Sequence, residues 1–235
     1  MLIVKENPKS PISEAYRTLR TNIEFSDFDN DIGIMLVTSA GPCEGKSVTA
    51  ANLALSVAET GKKVLLIDCD LRKPSIHKKF EISNSKGISN LLIGESQFSE
   101  IAQRYNENLY ILTSGTVPPN PCEMIESQKM KIFLRDAKND FDFIILDTPP
   151  VIVVADAQLL SAIVGGVLLV IAAGKAEIKL AQKAKELLEH AKANIIGVVL
   201  NKAELNSDKI NGYQYYYTED NNKKERRMIN MKKIV

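Results

Sequence analysis

Residues 33–47 read GIMLVTSAGPCEGKS and give the clearest indication of the fold. An apolar, β-branched run at 33–40 leads into a short loop, and a segment with helical spacing follows at 47–60. A strand, a loop and a helix N-terminus in this order can cradle phosphate groups on backbone N–H groups. The stretch therefore predicts a phosphate-binding loop on an α/β domain.

The loop and the first turn after it supply the predicted ATP-binding residues. Lys46 would reach the β- and γ-phosphates, and the Ser47 hydroxyl would ligate Mg²⁺. The strict motif has a glycine five residues before Gly45, where this chain has Ala40. The predicted ATP-binding residues here are Gly41, Pro42, Cys43, Glu44, Gly45, Lys46, Ser47 and Val48.

The rest of the chain repeats this alternation of strand and helix. Further apolar runs are found at 63–70, 109–115, 141–150, 166–174 and 194–203, and helical spacing at 121–138 and 176–192. Continuous apolar runs are typical of strands that are covered on both faces, as in parallel sheets. We therefore predict a doubly wound, mostly parallel α/β sheet of the P-loop NTPase type, with its ligand at the carboxyl ends of the strands.

Three carboxylates are expected at those strand ends. Asp68 and Asp70 follow the second run, and because side chains alternate along a strand, both would point to one face. Asp147 ends the run at 141–150. Carboxylates gathered beside a phosphate loop would repel one another unless a cation lay between them. Together with Lys46 and Ser47 they predict a Mg²⁺ site.

Asn201 ends the last apolar run, and two interpretations of it stay open. A strand-end asparagine near the nucleotide could bond the edge of the base. Asparagine is also a common turn former, so the residue could serve the backbone alone.

The N-terminal segment, 1–30, is predicted to be a helical extension. Ser10-Pro11 favours a helix start. An apolar stripe should face the core, and a charged set should project away from it. The stripe is Ile12, Ala15, Leu19 and Ile23, and the charged set is Glu14, Arg17 and Arg20. On the residues alone, that charged set is a solvated face with one i,i+3 pair.

The predicted P-loop domain covers 31–204, and a flexible, tyrosine-rich and basic tail covers 205–235. Four of the seven tyrosines lie close together in the tail: Tyr213, Tyr215, Tyr216 and Tyr217. They could pack on the body of the domain. Disordered segments are usually poor in aromatic residues, so a tyrosine cluster in an otherwise polar tail is unusual and favours a specific role. The favoured interpretation is that these tyrosines accept phosphate on a mobile arm.

Composition narrows the class of protein. The 235 residues carry a formal net charge of +1, so no strong field would attract nucleic acid. No apolar run approaches the roughly 20 residues of a membrane helix, and the N-terminus lacks a signal-peptide layout. Cys43, Cys69 and Cys122 form no zinc-binding pattern and are typical of reduced cytoplasmic thiols.

Taken together, these motifs resemble those of the bacterial tyrosine kinases (BY-kinases) that regulate capsule and exopolysaccharide synthesis. The loop AGPCEGKS resembles the Walker A motif of that family, LLIDCDLRKP its Walker A′ and FIILDTPP its Walker B. Glu14, Arg17 and Arg20 match its E-x-x-R-x-x-R element, and the tail resembles its C-terminal tyrosine cluster. The resemblance covers essentially the whole chain.

The resemblance implies a tyrosine kinase that uses ATP and Mg²⁺. Lys46, Asp68, Asp70 and Asp147 would be catalytic, with Asp68 preferred as the base that removes the tyrosine proton. Ser47, Asp68 and Asp147 would be the metal ligands, and Asp70 could share that role.

The resemblance also implies partners. The E-x-x-R-x-x-R element would mediate self-association into a ring in the unphosphorylated state, and the tyrosine cluster would be autophosphorylated between subunits. A membrane-anchored activator of the polysaccharide co-polymerase type would recruit this cytoplasmic kinase to the inner face of the membrane. A tyrosine phosphatase would reverse the modification, and no nucleic acid is expected to bind.

The chain departs from the pattern of that family at two points, and two other functions stay open. Residues 218–235 follow the cluster, where many members of the family end almost at once. These residues do not include the membrane-spanning activator domain that some members fuse to the kinase, so we expect the split form, in which the activator is a separate protein. A ParA/MinD-like positioning ATPase shares the fold, but Gly41 stands where such proteins carry a signature lysine. A nucleotide-dependent regulatory module is disfavoured because Lys46, Ser47 and the three carboxylates are all present.

Overall fold

A mostly parallel sheet forms the centre of the structure, a computed structural model that describes residues 2–27 and 32–203. The predicted tail from residue 205 onward, with its four tyrosines, lies outside the described residues. Within them, the strands are β1 Ile34–Ser39, β2 Val64–Asp68, β3 Gln103–Arg104, β4 Leu109–Leu112, β5 Phe143–Asp147, β6 Gly166–Ala172 and β7 Ile195–Asn201.

The strand order is β3-β4-β2-β5-β1-β6-β7. Every neighbouring pair is parallel except β3 and β4, which are antiparallel. All six predicted strands are present, and the short β3 is an addition. The predicted doubly wound, mostly parallel fold is confirmed.

Helices connect the strands and cover the sheet on both faces. The N-terminal helices are α1 Ile3–Glu6 and α2 Pro11–Asp27. The others are α3 Lys46–Ala58, α4 Ile76–Phe80, α5 Ile88–Ile93, α6 Phe98–Ile101, α7 Pro121–Glu126, α8 Gln128–Ala137, α9 Asp156–Ser161 and α10 Ile178–His190.

Side chains that alternate along β1 supply two separate cores. Met35 and Val37 pack with helices α1 to α4, whereas Ile34 and Leu36 pack with α5 to α10. This division is the reason the central strands β1, β2 and β5 are buried at every position. Edge strand β7 is less covered, and Val198 and Leu200 remain 61% and 62% exposed.

The predicted helix over 121–138 is divided at Ser127. Its backbone leaves the helical region with ψ 151°, and its hydroxyl accepts a hydrogen bond from the Met130 N–H group. Serine is a favoured N-cap residue, so it ends α7 and starts α8.

The predicted core stripe of α2 is wrong in part. Ile23 is buried, but Ile12 is 50% exposed and faces a groove beside β7. The helix instead buries Ser13 and Tyr16. The Ser13 hydroxyl is satisfied there, because it donates to carbonyl oxygens of α1 and of the turn after it. The unpredicted helix α1 therefore sets the rotation of α2.

Candidate active site

The phosphate loop joins β1 to α3, as predicted. Gly45 has φ +100° immediately before the first residue of α3, a conformation that favours glycine. A Cβ atom at this position would lie 2.0 Å from Asn201 Nδ2, so the loop and the end of β7 are in close contact. The N-terminus of α3 directs its backbone N–H groups and the positive end of its dipole toward this loop, as phosphate binding requires.

Lys46 is the centre of the charged cluster. Its ammonium nitrogen lies 2.9 Å from Asp70 Oδ2 and 3.5 Å from Asp147 Oδ1. It also donates to the Ser47 hydroxyl at 3.2 Å. The side chain is only 12% exposed, so these interactions are weakly screened by solvent. Lys46, the first residue of α3, is therefore paired with carboxylates at the carboxyl ends of β2 and β5.

Asp68 and Asp70 both reach this cluster, but they bond differently. Asp68 is fully buried, and its Oδ2 accepts the Ser75 and Ile76 N–H groups at 2.9 Å each. Its Oδ1 accepts the Asp70 N–H group at 3.2 Å. Asp70 accepts the Lys73 N–H group and pairs with Lys46. Asp68 thus organises the loop after β2, while Asp70 holds the lysine.

Asp147 is the register partner of Asp68 on the neighbouring strand. It is fully buried, and neither of its carboxylate oxygens has a hydrogen-bond partner among the described residues. The Lys46 ammonium, 3.5 Å from Oδ1, balances part of the buried charge, and both oxygens keep lone pairs for a further cation. Beside the Ser47 hydroxyl, Asp147 therefore supplies oxygen atoms of the type that Mg²⁺ prefers.

The described residues contain no group of three or more histidine, cysteine, aspartate or glutamate side chains that would hold a metal ion by themselves. Such a cage is not required, because Mg²⁺ is commonly held by one or two carboxylates together with substrate phosphates and water. The residues present fit a Mg²⁺ ion that is shared with a nucleotide.

Burial raises the pKa of Asp68 to about 7 from its ordinary 3.8, and the Asp147 carboxylate acts in the same direction. Burial also raises the pKa of Asp147, although the Lys46 ammonium opposes that shift. Between pH 3.8 and about pH 7, the ordinary and the raised pKa of Asp68, the folded chain binds more protons than the unfolded chain. The contribution of Asp68 to the free energy of unfolding therefore falls as pH rises through this range.

In Mg²⁺-free buffer the free energy of unfolding should fall between about pH 4 and about pH 7, and we expect this fall to be smaller in Asp68→Asn than in wild type. Urea unfolding in EDTA at several pH values measures this. Asp142→Asn, at an exposed position, is the control and should keep the wild-type slope. An unchanged slope in the Asp68 variant would contradict the shift.

Asn201 contacts the phosphate loop directly. Its Nδ2 donates to the Glu44 carbonyl at 2.8 Å, and its Oδ1 accepts the Lys202 N–H group. Lys202 donates from Nζ to the Cys43 carbonyl at 2.8 Å. The end of β7 is thus tied to the loop by two side chains, a role that sequence reasoning did not assign to Lys202.

The sequence analysis also missed an ion pair that fixes the loop after β2. Arg72 donates to both oxygens of Asp156, from Nε at 3.0 Å and from Nη2 at 3.1 Å. Asp156 is fully buried at the start of α9. A bidentate pair of this kind adds geometric specificity as well as energy. It joins the Walker A′ segment to the segment that follows Asp147.

The predicted self-association residues do not simply project into solvent. Arg17 contacts Glu14 at 2.5 Å and Glu59 at 3.2 Å, and Arg20 donates to the Ser56 carbonyl at 2.7 Å. The expectation that all three point away is therefore corrected, because α2 is rotated toward α3. Glu14 and Arg17 nevertheless keep 32% and 25% side-chain exposure.

Among the helices in the described ranges, none has both the length and the apolar character needed to cross a bilayer.

Comparisons with known proteins agree with this geometry. The family model described as ParA, NUBPL iron-transfer P-loop NTPase, matches residues 32–235. The tyrosine-protein kinase YwqD of Bacillus subtilis (strain 168) is 47% identical over 221 residues, which span 94% of this chain and 92% of that protein.

Two solved structures have folds similar to that of this chain. The chimerical protein CapA2B2 superposes with a TM-score of 0.84 and 41% identity, covering 87% of this chain and 90% of that one. The septum site-determining protein MinD from Pyrococcus horikoshii, complexed with Mg-ADP, has a TM-score of 0.61 and 23% identity, covering 77% of this chain and 76% of that one. At that identity the second likeness shows the fold alone.

Proposed function

Because the chain belongs to the bacterial tyrosine-protein kinases, within the ParA class of P-loop NTPases, we propose that it transfers the γ-phosphoryl group of ATP between subunits to its tyrosine cluster. The cluster is Tyr213, Tyr215, Tyr216 and Tyr217. One observation carries the proposal: the ends of β1, β2, β5 and β7 meet at Lys46 and the phosphate loop.

Phosphoryl transfer depends mainly on positioning and on neutralising charge. Lys46 and the backbone N–H groups of the loop would hold the β- and γ-phosphates. Ser47 and Asp147 would hold Mg²⁺, which neutralises charge on the transferred group when it is bound. Asp70 keeps the Lys46 ammonium over the loop.

Asp68 is proposed as the base that removes the tyrosine proton. A free tyrosine has a pKa near 10, so little phenolate is present at neutral pH. A general base works best when its pKa is close to the working pH, and burial raises the pKa of Asp68 to about 7 in the metal-free chain. Its Oδ1 accepts one N–H group in the structure and retains a second lone pair.

The start of the tail favours tyrosines of this chain as substrate. Lys202, two residues before position 204, contacts the phosphate loop through the Cys43 carbonyl. The ten residues from 204 to 213 can span at most roughly 33–36 Å when extended. The cluster therefore begins within reach of a nucleotide bound to its own chain.

A mixing experiment tests transfer between subunits. A Lys46→Met chain with intact tyrosines is incubated with an active chain whose four cluster tyrosines are phenylalanine, and phosphotyrosine is mapped by mass spectrometry. We expect phosphate on the inactive chain. If wild type autophosphorylates under the same conditions and the inactive chain stays unmodified, the reaction occurs within one chain.

Phosphorylation should then release the tail and loosen the assembly. Each phosphotyrosine adds about −1.5 to −2 charges at neutral pH. Beside Asp68, Asp70, Asp147 and the nucleotide phosphates, that charge is repelled. A phosphorylated sample that stays as large as the unmodified one would contradict the release step.

Self-association is proposed to use Glu14, Arg17 and Arg20. Replacing all three with alanine should shift the assembly to monomers, as measured by light scattering. Glu59→Ala is the matched control, because it removes the pairing of Arg17 with the residue that follows α3 and leaves the side chains of α2 intact. If the triple variant forms the same oligomer as wild type, this face only binds solvent and α3.

The wider role is proposed from the family. The kinase would act with a membrane-anchored activator of the polysaccharide co-polymerase type at the cytoplasmic face of the membrane. It would regulate capsule or exopolysaccharide synthesis, and a tyrosine phosphatase would reset the cluster. Adding the cytoplasmic segment of a candidate activator to the purified chain should increase autophosphorylation.

A further inference from the structure

Glu44 places a buried carboxylate inside the phosphate loop. The residue is only 5% exposed. Its Oε1 accepts the Gly41 N–H group at 2.8 Å, and its Oε2 accepts the Ala172 N–H group at 3.3 Å. Its carbonyl oxygen accepts Nδ2 of Asn201 at 2.8 Å. One residue therefore joins the start of the loop to the ends of β6 and β7.

This arrangement requires a carboxylate. The two N–H groups come from separate parts of the chain, and each is bound by a different oxygen of Glu44. A glutamine could accept only one of them, because its NH₂ group would face the other donor. A buried backbone donor without a partner is costly. Electrostatics alone would disfavour a glutamate at this position, because a negative charge beside bound phosphates repels them.

We propose that Glu44 is a positioning residue, which closes the phosphate loop into its nucleotide-binding shape by tying Gly41 to the end of β6. The inference rests on the proposed binding of Mg·ATP to this loop. Gly41 approaches the carboxylate so closely that a Cβ atom there would lie 3.2 Å from Oε1. The bond between Asn201 and the Glu44 carbonyl holds the main chain of the same residue from the other side.

The direction in which Glu44→Gln changes nucleotide affinity distinguishes this positioning role from a direct effect of charge. If Glu44 acted only as a negative charge near the phosphates, Glu44→Gln would tighten nucleotide binding. If it positions the loop, Glu44→Gln leaves one donor unpaired and weakens binding by about tenfold, and Glu44→Ala weakens it further.

The test is titration calorimetry of Mg·ATP with both variants, below their unfolding temperatures. Glu186→Gln is the control, because it removes an exposed glutamate charge on α10 and should bind like wild type. In the kinase assay, KM for Mg·ATP should rise about tenfold in Glu44→Gln while kcat at saturation changes by less than about threefold. Binding by Glu44→Gln that equals or exceeds that of wild type overturns the inference.

Amide exchange of the ligand-free chain gives a second measurement that does not depend on nucleotide. Glu44→Gln should speed exchange at Gly41 or Ala172 and leave the amides of β1 protected. If wild type fails to bind Mg·ATP, the proposed function fails, and this exchange still tests the tie. Unchanged exchange at both amides shows that Glu44 does not hold the loop.

Discussion

Lys46→Met is expected to lower tyrosine phosphorylation by roughly a thousandfold or more, the scale seen when a cation is removed from a transferring phosphoryl group. Methionine keeps an unbranched side chain but loses the charge that would contact the β- and γ-phosphates. The substitution also leaves Asp70 and Asp147 without their ammonium partner at 2.9 and 3.5 Å. Their repulsion would then oppose the binding of a polyphosphate.

The measurement is phosphotyrosine formed over time with Mg·ATP. Lys62→Met is the matched control, because it removes an ammonium group that pairs with Glu24 at 3.1 Å on the protein surface. We expect the control to react at the wild-type rate. Thermal unfolding of both variants checks the fold, since Lys46 is largely buried. Wild-type activity in the Lys46 variant would remove this lysine from the site.

Asp68→Asn is expected to reduce phosphorylation by at least about a hundredfold, the lower range for loss of a general base. Asparagine keeps an oxygen that can accept the Ser75 and Ile76 N–H groups, so the start of α4 is retained, while its NH₂ group then faces the Asp70 N–H group. It loses the charge and basicity needed to remove the tyrosine proton. Nucleotide affinity should change much less than the rate.

Asp142→Asn provides the comparison at an exposed position. Asp142 also accepts a backbone N–H group, that of Lys63 at 2.7 Å, but it lies before β5 and away from the phosphate loop. It should keep full activity. Asp70→Asn should also lower the rate, because it removes the charge of the nearer carboxylate partner of Lys46. If the Asp68 and Asp70 variants both autophosphorylate normally, the roles given to these carboxylates are wrong.

Most of the sheet was predictable because its strands contain continuous apolar runs, whereas the short polar strand β3 has none. Two cores fix that pattern in β1, β2 and β5, and the parallel order brings Asp68 and Asp147 into register. The rotation of α2 was not predictable. A buried serine gives no apolar signal, and Ser13 is satisfied by carbonyl oxygens of α1 and of the turn after it.

The candidate site was predictable to the level of the strand ends but not of their partners. The sequence placed Lys46 near carboxylates, and the structure brings Asp70 and Asp147 to it. The bond of Glu44 to Ala172 joins residues 128 positions apart, and no periodic pattern reports such a contact. The Arg72–Asp156 pair, 84 positions apart, is equally invisible before the chain is folded.

Mapping of phosphotyrosine on the purified wild-type chain shows whether the tyrosine cluster receives phosphate from ATP. The chain is incubated with Mg·ATP, with and without the cytoplasmic segment of a candidate activator, and its peptides are analysed by mass spectrometry. We expect phosphate on the cluster Tyr213, Tyr215, Tyr216 and Tyr217, more of it with the activator, and none in Lys46→Met alone. Hydrolysis of ATP without any phosphotyrosine, in either condition, would contradict phosphoryl transfer to the cluster.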